Sequence, residues 1–434
     1  MLFHRSIRLL SSARAAPSQL LQMPATEVTT LANGLRVASE SAHGEVATIA
    51  GTAKRTQHQL EVEIENMGGH LNAYTSREQT VYYAKVFKKD VPQAVDILGD
   101  ILQNATMDEA LINRERDVIL KEMEEVEKMP EEMIFDYLHE TAFQNSSLGR
   151  TILGPKKNIQ SISRNDLQSF VKSQYTANRF VISGAGAVDH KQLVELSERS
   201  FGGLAKPVNA KEDTITRTSS PAKFTGSDLR WRQDSDEFAH LAIAFESAGW
   251  TSEHTFSLMI MQTLLGCWDR TSGSGSNMAS KLCKYVAEKE AAVSVMTFNT
   301  SYKDTGLFGV YAVAEPNRLH DLGWTIMEAM VRLCHKTTEE EVNRAKIQLK
   351  SVLMQQMDGC APVAEDIGRQ LIFYGRRMTP AEIYARIDAV DASAVKAAAN
   401  LYINDQDLAL AATGPVYELE DYNWFRRRAY WLRT

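Results

Sequence analysis

RERDVILKEMEEVEKMPEEMIFDYLHETAF, residues 114–143, carries two acidic patterns in one continuous helical stretch. Apolar residues recur at helical spacing on both sides of Pro130. One helix is therefore expected from Met107 to about Met129, and a second from about Pro130 through His139, with the proline tolerated in its first turn. Glu115 and Glu122 stand seven residues apart, two turns along one face. Glu132 and Asp136 stand four apart, so both carboxylates of that pair share a face as well. Taken as residues alone, Glu115 and Glu122 make a solvated acidic stripe, the ordinary place for helix carboxylates.

Toward the N-terminus, VTTLANGLRVAS (28–39) reads as a hairpin, with Asn33-Gly34 supplying the two positive-φ positions of a type I′ turn. TQHQLEVEIENMGG (56–69) reads as a helix. Thr56 can cap it, Leu60, Ile64 and Met67 fall on one face, and Gly68 can end it. Leu71 to Val86 reads as two strands around a turn at Ser76–Gln79, and Val91 to Leu102 as an amphipathic helix. Toward the C-terminus, Ile159 to Tyr175 reads as one helix and FVISGAG (180–186) as a buried strand. Residues 206–228, KPVNAKEDTITRTSSPAKFTGSD, are polar, hold two prolines and lack apolar periodicity, so they read as a linker. It separates an N-terminal unit, 24–205, from a C-terminal unit, 229–434. The units echo each other: Ile159, Ile162, Leu167 and Gly186 match in spacing Ile387, Val390, Val395 and Gly414.

The whole chain has 434 residues, enough for two sizeable domains, and a formal net charge of -7, which argues against a nucleic-acid binder. No apolar run reaches the ~18 residues of a membrane span. The four cysteines, Cys267, Cys283, Cys334 and Cys360, form no C-x-x-C pair and read as reduced thiols. Residues 1–22 hold Arg5, Arg8 and Arg14, four serines and no acid, the composition of a mitochondrial transit peptide. Arg8 stands three residues before a cut expected after Leu10, with a second cut nearer Gln22.

The opening stretch resembles a known family, and so do ENMGGHLNAYTSREQTVYYAK (65–85), GWTSEHTFSLMIMQTLLGCWDRTSG (249–273), FNTSYKDTGLFGVYA (298–312) and EDIGRQLIFYGRRMTPAEI (365–383). They look like the β-subunit branch of the mitochondrial processing peptidases, which are pitrilysin-like metallopeptidases. The likeness runs from about residue 24 to the end. It implies an α+β fold of two similar domains, each a sheet flanked by helices, facing each other across a cavity. It implies zinc as cofactor, an α-subunit partner, and removal of basic presequences in the mitochondrial matrix. In such a family zinc sits on an H-x-x-E-H helix, whose two histidines share one face and whose Glu is the general base. A distal Glu about 75 residues later completes the ligand set. By resemblance Glu122 is that distal ligand and Glu115 a supporting carboxylate. Glu132 and Asp136 match acidic positions that receive a presequence arginine, while Asn72 and Tyr74 lie on the strand along which an extended substrate would add.

The histidine segment itself is absent. EVATI runs through Ala50 straight into Gly51-Thr52, and roughly thirty residues are missing there by comparison with the family. None of the ten histidines stands four residues from another; His58-x-x-Glu61 is followed by Val62. The expectation is a first domain short of one strand and the active-site helix, with core surface exposed and strand edges unmatched. No working zinc centre and no cleavage are expected of the chain as it stands. Because the flanking motifs are intact, a splicing variant or a mis-joined reading frame explains the gap better than an evolved design. The other function class is a core structural subunit of the cytochrome bc1 complex, which shares the fold and needs no histidine pair.

Overall fold

The computed structural model describes residues 25–41, 54–206, 221–272 and 278–430. The transit-peptide segment, the junction at Ala50–Gly51 and most of the 206–228 linker lie outside them.

In the first half, β1 (Glu27–Thr30) and β2 (Arg36–Ser41) form an antiparallel hairpin, and β5 (Val181–Gly186) lies parallel to β2. The hairpin loop differs from expectation. Only Gly34 has a positive φ, at 94°, and Asn33 does not. Gly34 N–H donates to Leu31 O at 2.9 Å and Leu31 N–H to Leu35 O at 2.8 Å, a wider loop than a two-residue turn. The Asn33 amide is used elsewhere: it donates to Phe201 O at 3.0 Å and accepts from Leu35 N at 3.1 Å, pinning the loop to the end of a distant helix.

Helix α1 (Gln57–Asn66) starts at a Thr56–Gln59 capping box, then β3 (His70–Thr75) and β4 (Thr80–Lys85) form a separate two-stranded ribbon. Helices α2 (Val91–Asn104), α3 (Glu109–Val126) and α4 (Pro130–Ala142) follow. The single helix expected over 159–175 is two, α5 (Lys156–Ser161) and α6 (Arg164–Gln174). Ser163 and Asp166 form a second capping box that restarts the chain there. After β5, α7 (His190–Phe201) packs on α2 and β2.

The second half holds β6 (Ser227–Arg232), β7 (Ala239–Ser247), α8 (Thr255–Leu265), β8 (Cys267–Asp269), α9 (Lys281–Lys289), β9 (Ser294–Ser301) and β10 (Gly306–Ala314). Next come α10 (Leu319–His335), α11 (Glu339–Gln356), α12 (Cys360–Tyr374), α13 (Pro380–Ala389), α14 (Ala392–Tyr402), β11 (Leu408–Gly414) and α15 (Tyr422–Arg428). One six-stranded sheet results, in the order β6-β11-β7-β10-β9-β8. Its three central strands are nearly continuous apolar runs because both faces are covered. Leu241, Ile243, Phe245, Leu408 and Leu410 enter the large core under α8, α10 and α14, while Ala242, Ala244, Ala409 and Ala411 face the other way.

That other face is covered by a helix of the first half. Ile134, Leu138 and Phe143, on α4 and just past its end, are wholly buried against the small residues of β7 and β11. Full burial of such side chains stabilises by about 1.5–3 kcal/mol each. The second half returns the contact: Val363, Ile367 and Leu371 of α12 pack on Ala38 of β2 and on Val181 and Ala185 of β5. Arg377, 4% exposed, then bonds Glu40 at 3.2 Å and Asp366 at 3.5 Å, and Arg36 donates to Leu371 O at 2.6 Å.

The halves are thus repeats that exchange a helix, and their elements can be paired off. The parallel pair β2/β5 matches β6/β11, the β3–β4 ribbon matches β9–β10, and α1 matches α9. Among the described residues the first half has nothing that matches β7, α8 and β8. From the end of β6 to the start of α9 there are 48 residues; from the end of β2 to the start of α1 there are 15. In the complete sheet β7 joins β11 to β10. In the first half no described strand joins β5 to β4, so FVISGAG, expected to be buried, is mostly half-exposed.

The α4 contact contains a buried histidine. His139 Nδ1 bonds Phe135 O at 2.6 Å and Nε2 meets the Tyr302 hydroxyl at 2.5 Å, so a neutral ring satisfies both partners. Burial, aided by the Arg77 charge, pushes His139 down to about 3. An unfolded chain takes up that proton near pH 6.5, so stability is full above that and is lost as pH falls from there toward the folded value. The loss is at most ~1.4 kcal/mol per pH unit. The apparent Tm should fall between about pH 7.5 and about pH 5, and His139→Gln should remove part of that fall. A His139→Gln protein that keeps the whole fall would contradict this assignment.

Candidate active site

Helix α3 presents the acidic face. Asp108 caps it, accepting from Ala110 N at 2.8 Å, and Arg116 ties it down through Ile159 O at 2.9 Å and Ile162 O at 2.5 Å. Yet none of its residues is buried. Leu111 (43% exposed) and Val118 (50%) lie on the same stripe as Glu115 and Glu122, both exposed. Neither glutamate makes a hydrogen bond or ion pair among the described residues. The matching helix of the second half, α11, buries Val342, Ala345 and Leu349 and packs along α8. Among the described residues no helix of the first half takes the place of α8, and the stripe on α3 is open.

The β3–β4 ribbon is anchored at both ends to other elements. Asn72 is exposed and its side-chain oxygen accepts from Ala73 N at 2.7 Å. The Tyr74 hydroxyl donates to Glu365 Oε1 of α12 at 2.6 Å; burial and that carboxylate both raise its pKa. At the turn, Glu78 accepts from Lys303 N at 3.1 Å, and burial raises its pKa. Arg77 donates to Leu148 O at 3.1 Å and to Asp136 Oδ1 at 2.5 Å. Asp136 is thus already bonded to an arginine of its own chain, whereas Glu132 on the same helix face is exposed. Sequence spacing could not show this partner, which lies 59 residues away. It also missed Arg55, which bonds Glu63, Asp96 and the buried Asp100 at 2.9, 2.7 and 3.1 Å and fixes the entry to α1 on α2.

Between β4 and β5 lies a cavity of about 840 Å³. Ala94 and Leu98 of α2 line one wall, and Ala364, Gly368 and Ile372 of α12 the opposite one.

A zinc centre needs imidazole nitrogens and carboxylate oxygens converging at about 2.0–2.2 Å. Glu122 offers one carboxylate. No histidine pair exists at helical spacing anywhere in the chain, and His58 and His70 are exposed singly. Among the described residues no three His, Cys, Asp or Glu side chains group as ligands. The side chains present do not fit the ion.

Two family models match the chain: Insulinase (Peptidase family M16) over residues 45–156, and Peptidase M16 inactive domain over residues 161–349. The chain belongs to peptidase family M16. Within it, relatives matched over nearly the whole length include mitochondrial-processing peptidase β subunits. It is 50% identical to a probable mitochondrial-processing peptidase subunit beta of Arabidopsis thaliana, covering 96% of this chain and 84% of the relative. It is 46% identical to the mitochondrial-processing peptidase subunit beta of Mus musculus, covering 98% and 91%. The first alignment has 447 positions but takes up only about 417 of these 434 residues, so about 30 positions of the relative have no counterpart here. That is close to the difference between the two halves. A chain of complex III2 from Candida albicans, Inz-5 bound, has the same fold, with TM-score 0.81 at 23% identity over 93% of this chain and 99% of that one.

The two acidic positions on α4 should respond differently to neutralisation. Asp136→Asn leaves the nearly buried Arg77 without its carboxylate and should cost about 1.5–3 kcal/mol, read as a lowered apparent Tm. Glu132→Gln should leave the Tm within error. Equal shifts for the two variants would refute the assignment of Asp136 as a partner of Arg77.

Proposed function

We propose that this chain is a β-type subunit of a mitochondrial presequence-processing peptidase that lacks the zinc-bearing segment, and that it binds basic presequences without cleaving them. The observation that carries this reading is the near-full-length identity to β subunits combined with about 30 missing positions and no helical histidine pair. The relatives' names put the chain in the mitochondrion; the matrix is where its substrates would be met. An α-type subunit is the expected partner, since the relatives are β subunits. Residues 1–22 would be its own import signal, and 24–205 and the stretch from Ser227 onward, where β6 begins inside the expected linker, its two repeats.

The geometry supports the following roles. Glu132 takes a presequence guanidinium by a charge-assisted bond, and Asp136 joins only when the incoming arginine displaces Arg77. Asn72 and Tyr74 lie on β3, whose outer edge is unpaired among the described residues and can accept an extended substrate as an added strand. Glu122 and Glu115 await a metal whose other ligands are absent, and no proton acceptor for a water is in place. A core role in the bc1 complex is the second reading, favoured by the missing donor set. Recovery of the chain in a membrane complex rather than a soluble heterodimer would select it.

Glu132→Gln should weaken binding of an Arg-containing presequence peptide at low salt, by less than about tenfold, because an exposed pair is worth only ~0.2–1 kcal/mol. Unchanged affinity would return Glu132 to a solvated acid.

Metal analysis and a precursor-cleavage assay, with the α partner present, test the central assignment. The chain as it stands should hold no stoichiometric zinc and cut nothing. Insertion of the relatives' missing segment between Ala50 and Gly51 should restore both, and Glu122→Gln in the repaired chain should lower zinc occupancy. One equivalent of zinc with chelator-sensitive cleavage by the unrepaired chain would overturn the reading.

A further inference from the structure

We propose that the cavity between β4 and β5, together with the open face of α3, is an acceptor site for a polypeptide supplied in trans: an apolar strand followed by an amphipathic helix. This rests on the reading that the chain lacks a segment its relatives have. It goes beyond it in assigning a binding site to what remains.

Three observations converge. In the second half β7 hydrogen-bonds antiparallel to both β11 and β10. The corresponding edges of β5 and β4 are unpaired among the described residues, and a cavity of about 840 Å³ lies between them. Unmet backbone donors and acceptors on two facing edges are a template for an added strand. The walls define the chemistry of that strand. Ala94 and Leu98 line the α2 side and Ala364 and Ile372 the α12 side, so an occupant meets apolar surface at both helices, while Glu78, Lys85, Arg179, Glu365 and Arg369 also line the cavity. A strand apolar on both faces, as β7 is, fits those two walls. The third observation is the α3 stripe. Leu111 and Val118 are exposed beside Glu115 and Glu122, where α8 covers α11 in the other repeat. A helix with apolar residues toward Leu111 and Val118, and donors or cations toward the glutamates, completes the layer.

The occupant is therefore the segment itself: about 30 residues in the relative against the 33 by which the two repeats differ between matching elements. Binding in trans requires the flanking structure to be formed beforehand. The reciprocal α4 and α12 contacts provide this, since α12 holds β2 and β5 from the second half.

The probe is a fluorescein-labelled synthetic peptide with the sequence of the Arabidopsis thaliana relative's unmatched positions, titrated into the full chain without added zinc. Saturable 1:1 binding is expected, with slowed hydrogen exchange confined to β4, β5 and α3. Two prolines in the strand part of the peptide should weaken binding at least tenfold, because they remove ladder donors. Ala364→Trp, which fills the cavity from α12, should do the same without lowering the Tm. An unlabelled basic presequence peptide should not displace the probe. Absence of binding to a cooperatively melting chain would overturn the proposal. So would protection elsewhere, or affinity indifferent to both the prolines and Ala364→Trp. None of these readouts involves zinc or cleavage, so they separate this site from the processing function, which the repaired chain tests.

Discussion

A β-sheet is a unit only where each interior strand has a partner on both edges, and among the described residues one repeat meets that condition while the other does not. In the second half β7 supplies the partner for β11 on one side and β10 on the other, and six strands become one layer. Among the described residues of the first half, β5 pairs only with β2, and β4 only with β3. The cavity between them, the exposure of the β3–β4 ribbon, the half-exposure of β5 and the uncovered stripe of α3 all have this one cause.

What keeps the incomplete repeat in register is the exchange of helices. Helix α4 is covalently part of the first half but completes the core of the second, through side chains buried on small residues of β7 and β11. Helix α12 repays the contact on β2 and β5, reinforced by Arg377 on Glu40. The acidic face of α4 is thereby fixed to the intact sheet. The proposed recognition of a basic segment would then depend on a part of the molecule different from the one that would hold a metal.

Much of this was legible in the sequence where the signal is local. Thr56, Pro130 and the turn at Ser76–Gln79 placed α1, α4, β3 and β4 correctly. The Ser163–Asp166 box that divides α5 from α6 is equally local, and reading 159–175 as one helix takes no account of it. Asn33 misled because its amide is claimed by Phe201, 168 residues away. Asp136 looked like a free anion because Arg77 cannot be paired with it by spacing. That the described residues of the first half hold no counterpart of β7 and α8 left no mark in local periodicity. It was visible only by setting the chain beside its family and, in the structure, by setting one repeat beside the other.

The account stands on the two unpaired edges, and native-state hydrogen exchange on the full chain reads them directly. Amides of β4 and β5 should exchange much faster than those of their counterparts β10 and β11, while β2, paired on both sides, stays protected relative to β5. Protection of β4 and β5 equal to that of β10 and β11 would contradict the split sheet and the explanation built on it.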